Sequence, residues 1–465
     1  MSPGTTATTL QAAPKLSLAE ALRSARETRA LLLGSGVLRE TGRVFREQFP
    51  GNRAVIVADA NTFALAGGAV TDALVAAGVA LEAPFLYTDP GLYAEFRFVE
   101  ELEAALRKHD AIPVAVGSGT LNDLAKLAAH SAGRPGYLCV ATAASMDGYT
   151  AFGASITFQG AKQTFNCPAP RAVVADIEVI RRAPPEMTAA GYADLLAKVT
   201  AGADWLIADA LGVEPIDARA WAIVQGGLRE ALADPAGARH GDAAAITPLV
   251  EGLMLGGFAM QWSKTSRPAS GAEHQFSHLW DMEHHTHHGA APSHGFKVGV
   301  ATLAVTALYE QLLRQDFSAL DVARCVAAWP DASTAEARTR KLFAGAEFLP
   351  TALAETAAKQ VSPAELRAQL ERLRAVWPEL RGNLRAQLLP LAEARRRLQA
   401  VGAPTTPAEI GLTVERVRDS FVRAQHIRRR FTVLDLAVRT GTLDSALAGI
   451  FGPDGIWADS PAAVA

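Results

Sequence analysis

Residues 28–176 alternate short, unbroken apolar runs with longer helical patterns, and that rhythm constrains the fold more than any other feature of the chain. The runs fall at 30–33, 54–58 (AVIVA), 85–87, 112–116, 137–140 and 172–175. A strand apolar at every position has both faces buried, which is the condition of a parallel sheet covered by helices on each side. Helices are expected over 37–48, after 58 with Asn61 as its cap, over 93–108 and over 124–130. Residues 155–164 read as a hairpin with Lys162 near its turn. Ligands of such sheets bind outside the carboxyl ends of the strands.

One of those ends carries Gly117, Ser118, Gly119, Thr120 and Leu121, directly after the run 112–116. Glycines there let the backbone approach a phosphate, and the next helix offers N–H groups and a positive dipole end. A dinucleotide pyrophosphate is the expected guest, with a simple tight turn as the plain alternative. The run 137–140 ends in Thr142, Ala143, Ala144, Ser145 and then Asp147, small and hydroxylated residues suited to further cofactor contacts. Asp147 faces the reacting substrate or is a turn residue. Asp59, just past its strand, stands where an acidic residue often binds the ribose of a dinucleotide.

After Pro184 and Pro185 the pattern becomes helical to the end. The expected organisation is a flexible tail over 1–15, a Rossmann-like dinucleotide-binding domain over 16–183 and an all-helical domain over 184–465. A chain of 465 residues is long enough for two cores. The helical half holds seven of the chain's eleven histidines between 274 and 294. His274 and His278 share one face of a helix a turn apart, and His294 opens the next helical run. The segment 284–288 (HHTHH) reads as a solvated loop. Asp194 lies on an apolar helix, where a carboxylate must be exposed, paired or on a metal. It is the carboxylate that the histidines lack. Two imidazoles and a carboxylate suit zinc, nickel or iron. Lys264, Arg267, Ser270 and Lys297 flank this stretch, and cations there suit an anionic substrate. The run at 428–430 (RRR) reads as a solvated face.

A net charge of −3 with dispersed basic residues gives no support for nucleic-acid binding, and no nucleic-acid partner is expected. Cys139, Cys167 and Cys325 show no paired spacing and read as buried apolar residues. The first fifteen residues lack the pattern of a signal peptide, and no uncharged run of eighteen apolar residues occurs. A soluble cytoplasmic protein is expected, with no membrane span.

GSGTLND, TAASMDGY, AGYADLLAK, SRPASGAEHQFSHLWDM and PSHGFKVGVATL stand in this order, with GAPTTPAEIGL and IRRRFTVLDLA nearer the end. Together they resemble the sn-glycerol-1-phosphate dehydrogenase family, related to iron-dependent alcohol dehydrogenases, glycerol dehydrogenases and 3-dehydroquinate synthases. The resemblance implies an N-terminal Rossmann-like α/β domain, an all-α C-terminal domain and an active site between them. It implies that Gly117 to Leu121 hold the pyrophosphate of NAD or NADP and Thr142 to Ser145 the nicotinamide side. Asp194, His274 and His294 would hold one divalent metal, while His278 and Asp147 would touch substrate without ligating. The implied reaction interconverts dihydroxyacetone phosphate and sn-glycerol 1-phosphate, a step of phospholipid biosynthesis. A cyclase like dehydroquinate synthase, or a glycerol or other polyol dehydrogenase, is the alternative. A non-catalytic metal-binding protein would need the histidines without GSGTLND. Two positions depart from the family: Ala151 stands where Ser is common, and Phe296 where an acidic residue follows His-Gly. The HHTHH insertion is also unusual. Arg267 is the expected anchor of the substrate's phosphate, with Lys297 as second candidate, and the chain is expected to form a homo-oligomer, a dimer.

Overall fold

The computed structural model describes residues 15–159 and 161–458, so the tail expected over 1–15 lies, except for Lys15, outside the described residues. Six parallel strands form the central sheet: β1 (Ala30–Gly34), β2 (Ala54–Asp59), β3 (Phe85–Tyr87), β4 (Ile112–Gly117), β5 (Leu138–Ala141) and β8 (Ala172–Asp176), in the spatial order β1-β8-β5-β4-β2-β3. β2 pairs with β3 on one side and β4 on the other, so the direction of winding reverses beside β2 and β4. That reversal opens a crevice at their carboxyl ends, the place where a ligand fits such a sheet. β2, β4, β5 and β8 are buried nearly throughout, as uninterrupted apolar runs require. The separate hairpin β6 (Ala154–Phe158) and β7 (Ala161–Phe165) is antiparallel, and Lys162 stands opposite Thr157 near its turn.

Helix α1 (Gly119–Ser131) begins five residues before its expected start at 124, so the glycine-rich stretch forms its first turn. Capping also differs from expectation at β2. Asp59, not Asn61, accepts the N–H of Thr62 at 2.8 Å, because Asp59 is the extended residue from which a side chain can reach the first turn.

The chain is helical from Pro185, which opens α2 (Pro185–Leu196) at the position where a missing N–H costs nothing. It continues into α3 (Lys198–Ala210), α4 (Ala243–Ser263), α5 (Ala272–Met282) and α6 (His294–Leu312). α4 is long and apolar enough to cross a membrane by length and composition, yet 61% of its apolar window is buried inside the protein. One apolar cluster fills the face of the sheet toward Thr41–Gln48 and Gly68–Ala76. The other runs unbroken from the opposite face through α2, α4 and α6 into the last helices. The two halves therefore share a seam of packed side chains.

Close approach of backbone makes that seam. A Cβ on Gly191 of α2 would stand 2.0 Å from the carbonyl oxygen of Ala144, so only glycine lets the helix rest on the loop after β5. α6 packs on α2 and α5.

Candidate metal and dinucleotide site

Asp194, His274 and His294 come from α2, α5 and α6, and their ligating atoms lie within 4.8 Å of one another. Asp194 is fully buried; His274 is nearly so, and His294 is half-buried at the cleft. His274 Nε2 stands 3.4 Å from Asp194 Oδ1, while its Nδ1 is 2.8 Å from Glu273 Oε1. The carboxylate takes the Nδ1 proton and leaves the Nε2 lone pair facing Asp194, which is how metal-binding imidazoles are oriented. Glu273 is itself held by the hydroxyl of Thr200 at 2.9 Å and the N–H of Gly271 at 2.6 Å. His294 Nδ1 lies 3.3 Å from Ser277 Oγ, so its Nε2 is the atom left for the cluster. Among the described residues this is the cluster able to hold a metal, and two imidazoles with one carboxylate fit a divalent ion.

The electrostatics of Asp194 and His294 agree with that use. Burial drives the pKa of His294 and His278 well below the ordinary value, so both rings are neutral and can offer lone pairs. Burial also opposes ionisation of Asp194, but Lys198 and the facing histidines outweigh it and hold the carboxylate ionised. For His274 burial works against the charged ring, and bonds to Asp194 and Glu273 offset it and raise its pKa.

Lys198 is the residue that sequence reasoning missed. Its Nζ is buried and lies 2.8 Å from both Asp194 Oδ1 and Asp147 Oδ2. The signal was present, since 194 and 198 share a helical face. Asp147 also donates its N–H to Asp194 Oδ2 at 3.2 Å. Burial, then the negative charge of Asp194, pushes the Asp147 carboxyl up. The structure thus brings Asp147 from the sheet side to the three cluster residues of the helical side. His278 completes the ring wall, with its centroid 6.3 Å from His274 and 6.0 Å from His294.

On the sheet side, no side chain caps the N-terminus of α1 at Ser118, so first-turn N–H groups of Gly119, Thr120 and Leu121 are available to an anion. The Leu121 side chain is buried in the core, so its contribution is its backbone. The N–H of Thr142 donates to Gly117 O at 3.1 Å and ties the two strand ends together. Thr142, Ala143 and Ala144 are buried, and Ser145 is partly open to the cleft. Asp59 lies at the end of β2 with one carboxylate oxygen spent on its cap. An uncapped helix end beside a winding reversal fits a dinucleotide pyrophosphate.

Three expectations change. Arg267 is not placed as a phosphate anchor: it is 1% exposed, donates to Phe431 O at 2.9 Å and Asp204 O at 3.1 Å, and faces Glu214 at 3.2 Å. A buried guanidinium bonded to two backbone carbonyls braces the helices and has no open face toward a substrate. Lys297 is paired with Asp281. The segment 284–288 is not wholly solvated: His285 is buried, 2.7 Å from Ile410 O and 3.0 Å from Arg416 Nη1. A carbonyl and a guanidinium on its two nitrogens make it a structural histidine. The run at 428–430 divides as well, because Arg430 turns inward and bonds Ser270 O at 2.8 Å.

The parallel sheet with its reversal, the uncapped helix end and the carboxylate–imidazole cluster across a shared seam have the arrangement that a metal- and dinucleotide-dependent dehydrogenase needs. The family model described as iron-containing alcohol dehydrogenase matches residues 32–184. The chain is similar in structure to glycerol dehydrogenase from Schizosaccharomyces pombe, with TM-score 0.56 and 17% identity, covering 90% of each chain. It is similar also to NADH-dependent butanol dehydrogenase A from Thermotoga maritima, with TM-score 0.52 and 14% identity, covering 90% of this chain and 97% of the other.

Sequence relatives narrow the class. A protein of Halalkalibacterium halodurans named glycerol-1-phosphate dehydrogenase (NAD(P)+) is 36% identical over 268 residues, 56% of this chain and 65% of its own length. Those of Methanosarcina barkeri and Bacillus velezensis, of the same name, are 36% and 33% identical and are covered over 76% and 74% of their lengths. The chain belongs to the glycerol-1-phosphate dehydrogenase family.

Proposed function

We propose that this chain is a metal-dependent, NAD(P)-linked dehydrogenase that interconverts dihydroxyacetone phosphate and sn-glycerol 1-phosphate. The observation that carries the reading is the meeting of Asp194, His274 and His294 with Asp147, on one side of which lies the open N-terminus of α1. Asp194, His274 and His294 would hold zinc, nickel or iron; Gly117 to Leu121 would hold the pyrophosphate, and Thr142 to Ser145 the nicotinamide side. When bound, the metal supplies Lewis acidity toward the C2 oxygen and the nicotinamide exchanges the hydride.

The chain's own residues do the rest. Lys198 fixes the orientation of Asp194 and Asp147 together, which keeps two buried carboxylates from repelling each other. Asp147 orients the substrate hydroxyl. A neutral His278 donates at one ring nitrogen and accepts at the other, which is what a proton relay to the C2 oxygen needs. Glu273 keeps His274 in the ligating tautomer. Burial of the seam excludes water from the reacting carbon.

A cytoplasmic enzyme with domains at 16–183 and 184–465, acting as a dimer, is part of the proposal. The test is reduction of dihydroxyacetone phosphate by NADH or NADPH on metal-reconstituted protein. Loss of the reduced nicotinamide absorbance in proportion to product is expected. Product formation without net cofactor change would favour a cyclase instead.

A further inference from the structure

Lys126 of α1 is a buried lysine outside both the metal cluster and the open end of its helix, and its side chain has no exposed surface. Its Nζ donates to the carbonyl oxygens of Gly148 at 3.1 Å, Ala151 at 3.1 Å and Gly153 at 2.9 Å, and stands 3.3 Å from Asp123 Oδ1. An ammonium has three protons, and these three carbonyls belong to one short turn, 148–153. The turn opens as the 3-10 helix Gly148–Thr150, with Asp147 as the residue before it. Gly153 closes it at φ 80°, a left-handed conformation that glycine adopts without strain. Burying a charge is costly unless it is paired, and Asp123 together with three carbonyl dipoles pairs this one. An apolar side chain of the same length would fill the space without that cost. What the ammonium adds is a fixed shape for the turn.

The same helix holds the turn at two further points. Asn122 Nδ2 reaches Gly148 O at 3.4 Å while its Oδ1 accepts the Tyr137 hydroxyl at 2.8 Å, and Asp123 Oδ2 accepts the N–H of Ser155 at 3.2 Å. From the helical half, Met254 O of α4 accepts the Thr150 hydroxyl at 2.7 Å, and Gln261 Nε2 donates to Thr150 O. Asp147 itself faces the cluster, with its carboxylate on Lys198 and its N–H on Asp194. The carbonyl of the next residue, Gly148, is on Lys126. Two buried lysines, one from each half of the molecule, therefore hold the chain on either side of a single peptide unit.

We propose that Lys126 is a positioning residue that places Asp147 relative to the first turn of α1, and so sets the substrate against the dinucleotide. The inference rests on the reading above, in which Asp147 orients the substrate hydroxyl and α1 takes the pyrophosphate, and deepens it. Gly119 and Lys126 lie about two turns apart on one continuous helix, Gly119–Ser131. The pyrophosphate end and the grip on the turn therefore belong to one rigid element. Among the described residues the polar partners of Lys126 are Asp123 and the turn alone. It bonds neither the cluster residues nor the first-turn N–H groups, so it acts through the turn and its removal spares both.

The test uses two variants of the full chain. Lys126→Met keeps the length and loses every donor, whereas Lys126→Gln keeps N–H donors and loses the charge. Amide hydrogen exchange over 147–153 should quicken about tenfold in Lys126→Met, with 119–125 exchanging as in wild type. The kcat for dihydroxyacetone phosphate should fall about 10- to 100-fold, the scale of a lost hydrogen bond to a charged group, with Lys126→Gln in between. NADH affinity and metal content should stay within about twofold of wild type by the same reasoning. If Lys126→Met does not fold, Lys126→Gln decides on the same measurements. A folded variant with wild-type kcat, or a turn that exchanges as in wild type, overturns the proposal and leaves Lys126 a stabilising residue. Loss of NADH or metal binding in step with turnover, or failure of both variants to fold, overturns it equally. If wild-type protein never reduces dihydroxyacetone phosphate, the exchange over 147–153 still decides the placement of Asp147, and the substrate assignment alone fails.

Discussion

A Cβ on Gly295 would stand 1.9 Å from the carbonyl oxygen of Ala190, so α6 meets α2 backbone to backbone one residue after His294. That contact brings the third cluster residue to within reach of Asp194. Gly295→Ala should force the two helices apart, an overpacking cost of about 1–3 kcal/mol, and weaken metal binding without removing a ligand. Metal content and the thermal midpoint check it; wild-type values for both would show that the contact is soft.

Removal of a ligand should act differently from removal of a neighbour. Asp194→Asn, His274→Ala and His294→Ala should each lose bound metal and activity together. His278→Ala should retain its metal and lose roughly 10²–10⁴-fold in turnover, the range of general acid–base help. Elemental analysis separates the two groups, and metal loss in the His278 variant would make that ring a ligand.

At the cofactor end, a Cβ on Gly119 would lie 3.0 Å from Met146 Cε. Gly119→Val therefore crowds both the methionine and the space above the first turn of α1. Dinucleotide affinity should fall at least tenfold by fluorescence titration, roughly the effect of 1.4 kcal/mol, while metal content stays at the wild-type level. Unchanged affinity would reduce the glycine-rich stretch to a tight turn.

Arg267→Ala should be a stability mutant. It strips the partners from Phe431 O and Asp204 O, a loss of about 2–6 kcal/mol at roughly 1–3 kcal/mol for each buried carbonyl left without a donor, while the partly exposed Glu214 is solvated by water. The Michaelis constants for phosphorylated and unphosphorylated substrate should keep their ratio. A selective loss toward the phosphorylated one would restore Arg267 as an anchor.

His426 predicts a pH dependence away from the site. Burial, with Lys359 nearby, brings its pKa down to about 4, and its Nδ1 lies 2.8 Å from the Thr356 hydroxyl oxygen. The unfolded chain takes up this proton below about 6.5 and the folded chain only below about 4, so stability falls on acidification across that window and is level above it. The loss should reach the order of 2–3 kcal/mol by pH 4. Urea unfolding from pH 7 to 4 measures it, and His426→Gln should flatten that part of the profile.

Much of this was legible before folding. The runs over β2, β4, β5 and β8 are apolar at every position, and a strand with two buried faces has few alternatives to a covered parallel sheet. Asp194, His274 and His294 were legible because a carboxylate in an apolar helix and histidines at helical spacing need an explanation that loops do not. Helix starts were less legible. α1 begins at Gly119 because an extended residue at Ser118, not apolar periodicity, sets its first turn.

What the sequence determined by itself was everything that depends on local spacing: the strands, their parallel sheet covered on both faces, the helical second half and the residue types of the cluster. Only the tertiary structure decided the partners of charges. Nothing in the order of residues says that Arg267 is spent on Phe431 O and Asp204 O, or that Lys198 reaches across from Asp194 to Asp147. The reason is physical: a cation's role is fixed by whichever carbonyl, carboxylate or open cleft its long side chain meets after packing. That encounter is set by elements apart in the chain, 63 residues for Arg267 with Asp204 and 164 for Arg267 with Phe431.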